Sequence, residues 1–172
     1  MTDKTAFDIR LFVTDVDGTL TDGGMYYTAQ GEYMKLFNTR DGMGLSMLRE
    51  AGIEIAIMTS EDSEIVSRRA EKLGITRVYL GVRDKLTRMT ALCQELDLPL
   101  TSVAYVGDDV NDLDVIRNVG LGFAVADADS RVLQAADVML SKRGGKGAVR
   151  EAAEWVLERA RHRLGLAETE GV

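Results

Sequence analysis

Apolar residues recur along the chain in short runs rich in valine and isoleucine, bounded by glycine or aspartate, at 9–14, 54–58, 77–80, 103–106 and 121–125, with a weaker run at 138–140. Runs of this length without a polar face are expected of strands covered on both sides, as in a parallel sheet. Between them the apolar positions repeat at helical spacing over 41–51, 62–74, 84–97, 109–118 and 129–136, and a last helical stretch at 146–163 follows the final run. Strand and helix in alternation predict right-handed βαβ units and a doubly wound, three-layer α/β/α sandwich of Rossmann-like type.

Residues 23–38 interrupt that alternation. Two β-rich arms flank Ala29-Gln30-Gly31, which is a hairpin signature. The hairpin falls between the first strand and the first helix, so it projects from the carboxyl edge of the sheet, the ligand side of open α/β folds. It carries Met25, Tyr26, Tyr27, Tyr33 and Phe37, more apolar surface than a two-stranded projection buries on itself. Contact with another subunit is the expectation; folding back onto the same domain is the alternative. The small, polar stretch 165–172 is expected to be disordered, which leaves 1–164 as a single domain.

With 172 residues, 45% of them hydrophobic and only one proline, the chain can bury one core and is short for two ordinary domains. Its formal net charge of -7 argues against nucleic acid or an anionic membrane as a partner, because a phosphate polymer requires a basic stripe and the sequence has none. A small anionic ligand remains compatible where positive residues converge locally. The lone Cys93 excludes an intramolecular disulfide framework, and its spacing with Leu86, Met89 and Leu96 puts it on an apolar helix face. No apolar run approaches the ~20 residues of a membrane span, and the first residues lack the apolar stretch of a signal peptide. A soluble, cytoplasmic protein is expected.

The chemistry concentrates at strand ends. The first strand runs into Asp15-Val16-Asp17-Gly18-Thr19-Leu20-Thr21, and at an extended strand end residues i and i+2 point the same way. Asp15 and Asp17 therefore both face the sheet edge, where two buried like charges need a cation or a shared proton between them. Gly18 permits the tight turn that brings backbone N–H groups close to an anion. A second acidic cluster, Gly107-Asp108-Asp109-Val110-Asn111-Asp112, follows the fourth strand. All-oxygen ligands of this kind suit a hard octahedral cation such as Mg2+; zinc would need more than one histidine and one cysteine. A parallel sheet would set this cluster beside Asp15, although Asp108 or Asp109 would also serve simply to cap the helix that starts there. Thr59-Ser60 ends the second strand with hydroxyls placed to hold a phosphoryl oxygen, and Lys85 opens the helix at 84–97. Taken singly, each is equally an ordinary cap or a solvated charge.

In order, DVDGT at 15–19, Thr59, Lys85 and GDDVND at 107–112 resemble the four motifs of the haloacid dehalogenase (HAD) superfamily of phosphatases, over nearly the whole chain. The resemblance implies a Mg2+-dependent phosphoric monoester hydrolase. It makes Asp15 the nucleophile that forms an aspartyl-phosphate, and Asp17 the general acid and then the base. It makes Asp15, Asp108 and the Asp17 main-chain carbonyl the metal ligands, with Asp112 in support, and gives Thr59 and Lys85 the phosphoryl oxygens. Ser60 departs from the glycine of many relatives, which would narrow the pocket while leaving the Thr59 hydroxyl in place.

The large cap domains of many such phosphatases would need long inserts, and here only the hairpin is present. Thr21-Asp22-Gly23-Gly24, the stretch 35–42 (KLFNTRDG) and the stretch 143–151 (RGGKGAVRE) are similar to the tetrameric capless branch that dephosphorylates 2-keto-3-deoxy sugar acids. A homotetramer with hairpin 23–38 at the subunit contact and a small phosphorylated sugar acid as substrate are implied. Within the branch, 3-deoxy-manno-octulosonate 8-phosphate competes with nonulosonate 9-phosphates, the latter handled by enzymes similar to the C-terminal domain of some acylneuraminate cytidylyltransferases. Glu61, Arg69 and Lys72 match the nine-carbon group and tip the expectation that way. Arg69 and Lys72 lie i, i+3 on one helix face, able to grip a carboxylate or equally to form an exposed basic face. Ser60, Glu61, Arg69, Lys72 and Asn111 join Thr59 and Lys85 as candidate substrate contacts. Two other functions stay open: a non-catalytic oligomerisation or regulatory domain of a sugar-activating system, and another sugar phosphotransfer.

Overall fold

The computed structural model describes residues 8–163; the stretch expected to be disordered, 165–172, lies outside them. Strand β1 (Leu11–Thr14) is followed by the hairpin β2 (Tyr26–Thr28) and β3 (Gly31–Met34), then by helix α1 (Thr39–Glu50). Strict alternation follows: β4 (Glu54–Met58), α2 (Glu64–Leu73), β5 (Arg77–Tyr79), α3 (Lys85–Glu95), β6 (Val103–Gly107), α4 (Leu113–Asn118), β7 (Leu121–Ala124), α5 (Ser130–Ala135), β8 (Val138–Met139) and α6 (Ala148–Arg163). Six strands form one parallel sheet in the order β5-β4-β1-β6-β7-β8, and β2 pairs with β3 in a separate antiparallel ribbon.

The strands with no polar face are those at the centre. Every residue of β1, β6 and β7 is buried, and Phe12, Val13, Val106 and Phe123 have no exposed surface. Burying a side chain of this size contributes roughly 1.5–3 kcal/mol, so the core forms around these strands. Helix α1 packs on α6 and α2, while α4 packs between α3 and α5, which gives the doubly wound layering. The α1–α6 approach depends on Gly44, where a Cβ would lie 2.9 Å from the Arg150 Cα.

The topology fixes where chemistry can occur. From β1 the chain winds outward through β4 and β5, then returns to lay β6 on the other side of β1 and winds away through β7 and β8. The reversal leaves a crevice at the carboxyl ends of β1 and β6, the place where open α/β sheets bind ligands. One expected helix is shorter than its pattern. Where 109–118 reads as helical throughout, a 3-10 turn occupies Val110–Asp112 and the α-helix starts at Leu113. The Asp112 carboxylate turns back to accept from the N–H groups of Asp108 and Asp109, which tightens the first turn.

Of the hairpin's apolar side chains only Phe37 packs against the core. Tyr27 and Tyr33 are 61% and 70% exposed, and Met25, Tyr26, Met34 and Leu36 are also exposed. The fold-back alternative thus accounts for Phe37 and not for the rest.

Candidate active site

Just past β1, the Asp15 N–H donates to the Val106 carbonyl at 3.0 Å, which extends the β1–β6 pairing and carries Asp15 to the end of β6. The following turn comes back against the second acidic loop. Gly18 adopts φ +82, and a Cβ there would lie 2.0 Å from Asp108 Oδ2, so only glycine permits this approach. Thr19 Oγ1 donates to Asp108 Oδ1 at 3.2 Å. The two clusters read from the sequence therefore meet: carboxylate oxygens of Asp15, Asp108 and Asp112 lie within 4.8 Å of one another.

Beneath them sits a buried polar cluster. The Lys85 side chain is fully buried, with Nζ 2.8 Å from Asp15 Oδ1 and 2.6 Å from Asp112 Oδ1. The Tyr105 hydroxyl donates to Asp112 Oδ1 at 2.6 Å, and the N–H groups of Asp108 and Asp109 take Asp112 Oδ2 at 3.0 and 3.3 Å. Both Asp112 oxygens are thus committed within the protein, which suits a residue that orients Lys85 and the loop better than it suits a direct metal ligand. Burial alone would lower the lysine, but the Asp15 and Asp112 carboxylates outweigh it and hold the ammonium above its ordinary range.

One ammonium does not balance three carboxylates. Burial, with the Asp112 charge next, pushes Asp15 up to about 7 against the pull of Lys85. Burial, followed by Asp15 and then Asp112, pushes Asp108 up to about 8. Both shifts come from burial and neighbouring carboxylates, the surroundings in which added positive charge is favourable. An all-oxygen set of this geometry fits a hard divalent cation, with Asp15 and Asp108 as the carboxylates able to reach it.

The cleft above is lined by Asp15, Asp17, Thr59, Ser60, Glu61, Asp108, Asp109 and Asn111. Thr59, buried at the end of β4, accepts the Glu61 N–H at 3.1 Å. The Ser60 hydroxyl donates to the Val82 carbonyl at 3.0 Å and accepts from Asn111 Nδ2 at 3.0 Å, so this serine ties the loop after β4 to the second acidic loop. Asp109 caps the turn that follows it, as the alternative reading anticipated, while still lining the cleft. Arg69 and Lys72 do not line it. Arg69 lies over the Phe37 ring at 5.7 Å and donates to the Asn38 carbonyl at 3.4 Å, which fastens α2 to the start of α1. Lys72 is exposed.

Lys35, to which the sequence assigned no role, is the addition. Its side chain is fully buried, with Nζ 2.5 Å from Asp17 Oδ1 and 2.7 Å from Glu32 Oε1. Burial opposes its charge, and the bonds to Asp17 and Glu32 more than restore it.

Residues 80–153 match the family model of the haloacid dehalogenase-like hydrolases. The chain is also 43% identical over 151 residues to the 3-deoxy-D-manno-octulosonate 8-phosphate phosphatase KdsC of Haemophilus influenzae, covering 88% of this chain and 84% of that one. It belongs to the haloacid dehalogenase-like hydrolases. As the motifs implied, it is an enzyme of the family's phosphatase type. Solved HAD structures carry the likeness into three dimensions. The cobalt-bound phosphatase from Haemophilus influenzae superposes with a TM-score of 0.86 at 43% identity, covering 88% of this chain and 89% of that one. The octulosonate 8-phosphate phosphatase from Moraxella catarrhalis, in complex with a magnesium ion, a phosphate ion and a KDO molecule, gives 0.88 at 38% identity, with 97% of each chain covered. Magnesium is the cofactor that the carboxylate set of this HAD chain fits.

Proposed function

We propose that the protein hydrolyses the phosphate monoester of 3-deoxy-D-manno-octulosonate 8-phosphate through an aspartyl-phosphate on Asp15. The observation that supports it most is the meeting of Asp15 and Asp108 across Gly18, above a buried Lys85, in a chain with 43% identity to octulosonate 8-phosphate phosphatases. The sequence leaned towards a nine-carbon acid on Glu61, Arg69 and Lys72. Two of those three are engaged or exposed away from the cleft, and the relatives at 43% identity act on the eight-carbon acid by name.

In this mechanism Asp15, Asp108 and the Asp17 main-chain carbonyl hold Mg2+, which when bound neutralises the carboxylates and draws charge from the phosphoryl oxygens. A lysine ammonium has three donors; Lys85 directs two at Asp15 and Asp112, and offers the third to a phosphoryl oxygen alongside the Thr59 hydroxyl. Asp15 attacks phosphorus in line while Asp17 gives a proton to the departing sugar oxygen. Asp17 then takes a proton from the water that displaces Asp15. Splitting the displacement lowers a barrier that is among the highest of biological reactions. Ser60, Glu61 and Asn111 face the sugar acid. The exposed aromatic hairpin joins subunits into a homotetramer that shields the cleft from water. Cytoplasmic residence belongs to the same reading.

Glu61, which lines the cleft, favours a nonulosonate 9-phosphate as the second reading. Steady-state kcat/KM under saturating Mg2+ for the eight- and nine-carbon phosphates decides between them. At least about a tenfold preference for the octulosonate ester is expected, a difference of roughly 1.4 kcal/mol in transition-state binding. A preference for the nine-carbon ester would overturn the substrate assignment.

A further inference from the structure

Resting on the phosphatase activity above, we propose that Lys35 is a positioning residue for Asp17, and that the hairpin thereby sets the geometry of the acid–base step. Lys35 follows directly after β3, between the exposed Met34 and Leu36, yet its own side chain is fully buried. Lysine is almost never buried without partners, and here both partners are carboxylates: Asp17 Oδ1 at 2.5 Å and Glu32 Oε1 at 2.7 Å.

The chain of contacts continues. The other oxygen of Glu32 accepts the Ser63 hydroxyl. Ser63 occupies the N-cap position of α2, where serine ordinarily accepts a backbone N–H, but it makes no such capping bond and is buried. Its hydroxyl is given to the hairpin. Ser63, Glu32, Lys35 and Asp17 thus link the start of α2, the hairpin and the loop after β1 in one line.

The consequence for Asp17 follows from the donor inventory. An ammonium only donates, so Lys35 holds Oδ1 as an acceptor and fixes the orientation of the Asp17 carboxylate. Oδ2 is left buried and without a hydrogen-bond partner, as the oxygen free to exchange a proton with the reacting groups. In the first step the sugar oxygen–phosphorus bond breaks as the Asp15–phosphorus bond forms, and the Oδ2 proton passes to the departing sugar oxygen. In the second, water adds to phosphorus, the Asp15–phosphorus bond breaks and Oδ2 recovers a proton from that water. Lys35 keeps its own protons throughout and acts only by fixing which oxygen faces the reaction.

The test compares two esters in single-turnover phosphorylation of the Mg2+-loaded enzyme. Octulosonate 8-phosphate has an alkoxide leaving group that requires protonation, and p-nitrophenyl phosphate has one that does not. In Lys35→Met, the octulosonate rate is expected to fall on the order of a hundredfold, the scale of a misplaced catalytic group. The nitrophenyl rate should fall far less and KM should stay within about threefold, with Lys35→Arg recovering part of the loss. Glu32→Gln, which keeps the shape and loosens the lysine, should show a smaller loss with the same dependence on leaving group, and guards against a Lys35→Met that does not fold. Equal losses on both esters, a loss confined to KM, or no loss in any variant overturns the proposal. If the wild type turns over neither ester, it is the phosphatase assignment itself that fails.

Discussion

Asp15, buried, and Asp108, half-buried, lie so close together that their charges call for either a cation or a proton, and this gives the site a pH signature. Both carboxyls titrate near 3.8 in an unfolded chain, whereas in the fold Asp15 is raised to about 7 and Asp108 to about 8. A carboxyl raised on folding contributes stability that is complete below the unfolded value and is lost as pH climbs through the folded one. The metal-free protein should therefore lose stability between about pH 4 and pH 8, and Mg2+ should restore more of it at pH 8 than at pH 5.5. At a hundredfold excess over its Kd, bound metal contributes about 2.7 kcal/mol, several degrees of Tm in a chain of this size. Thermal melts with Mg2+ or EDTA at the two pH values measure this, and a Mg2+ increment independent of pH would contradict it. That Asp15, Asp17, Asp108, Thr59 and Lys85 gather at one sheet edge was legible in the sequence because each sits at a strand end or a helix start, where side-chain direction follows from backbone period. Lys35 was not, because its partner Asp17 lies 18 residues away and only the folded hairpin brings them together. Arg69 lies outside the cleft of its own chain for a related reason: the helical spacing is right, but the packing of α2 against α1 turns that side chain onto Phe37 and Asn38.

The hairpin is the element to which the proposed subunit contact and the proposed positioning of Asp17 both belong. Its sequence announced two strands and a turn, and the structure has them at Tyr26–Thr28 and Gly31–Met34. What the pattern could not reveal is that Lys35, just past β3, is buried while Tyr27 and Tyr33 remain outside. Aromatic side chains of this exposure gain most from a protein partner, which supports placing them between subunits. The wild type is expected to be tetrameric by light scattering. Tyr27→Lys combined with Tyr33→Lys should shift the population to smaller species while the thermal melt stays cooperative. A wild type that is only monomeric would remove the subunit contact. Helix and strand edges were legible to within a few residues, and the exception at 109–118 traces to Asp112, whose carboxylate folds back on the loop in a way no periodicity records.

For the molecule as a whole, the alternation of apolar runs and helical stretches was enough to fix the doubly wound sheet, and the reversal between β1 and β6 then places the two acidic loops side by side. The net charge of -7 is compatible with the proposed anionic substrate because Lys85, and Mg2+ when bound, would concentrate positive charge at the carboxyl edge of the sheet. No helix among the described residues is long and apolar enough to cross a membrane. The most direct test is phosphate release from octulosonate 8-phosphate by EDTA-treated protein, before and after Mg2+ is returned, with Asp15→Asn assayed alongside. Release should appear only with Mg2+ and should fall by at least about a thousandfold in Asp15→Asn, the scale of removing a nucleophile. Undiminished release in EDTA, or release retained by Asp15→Asn, would contradict a metal-assisted attack by that carboxylate.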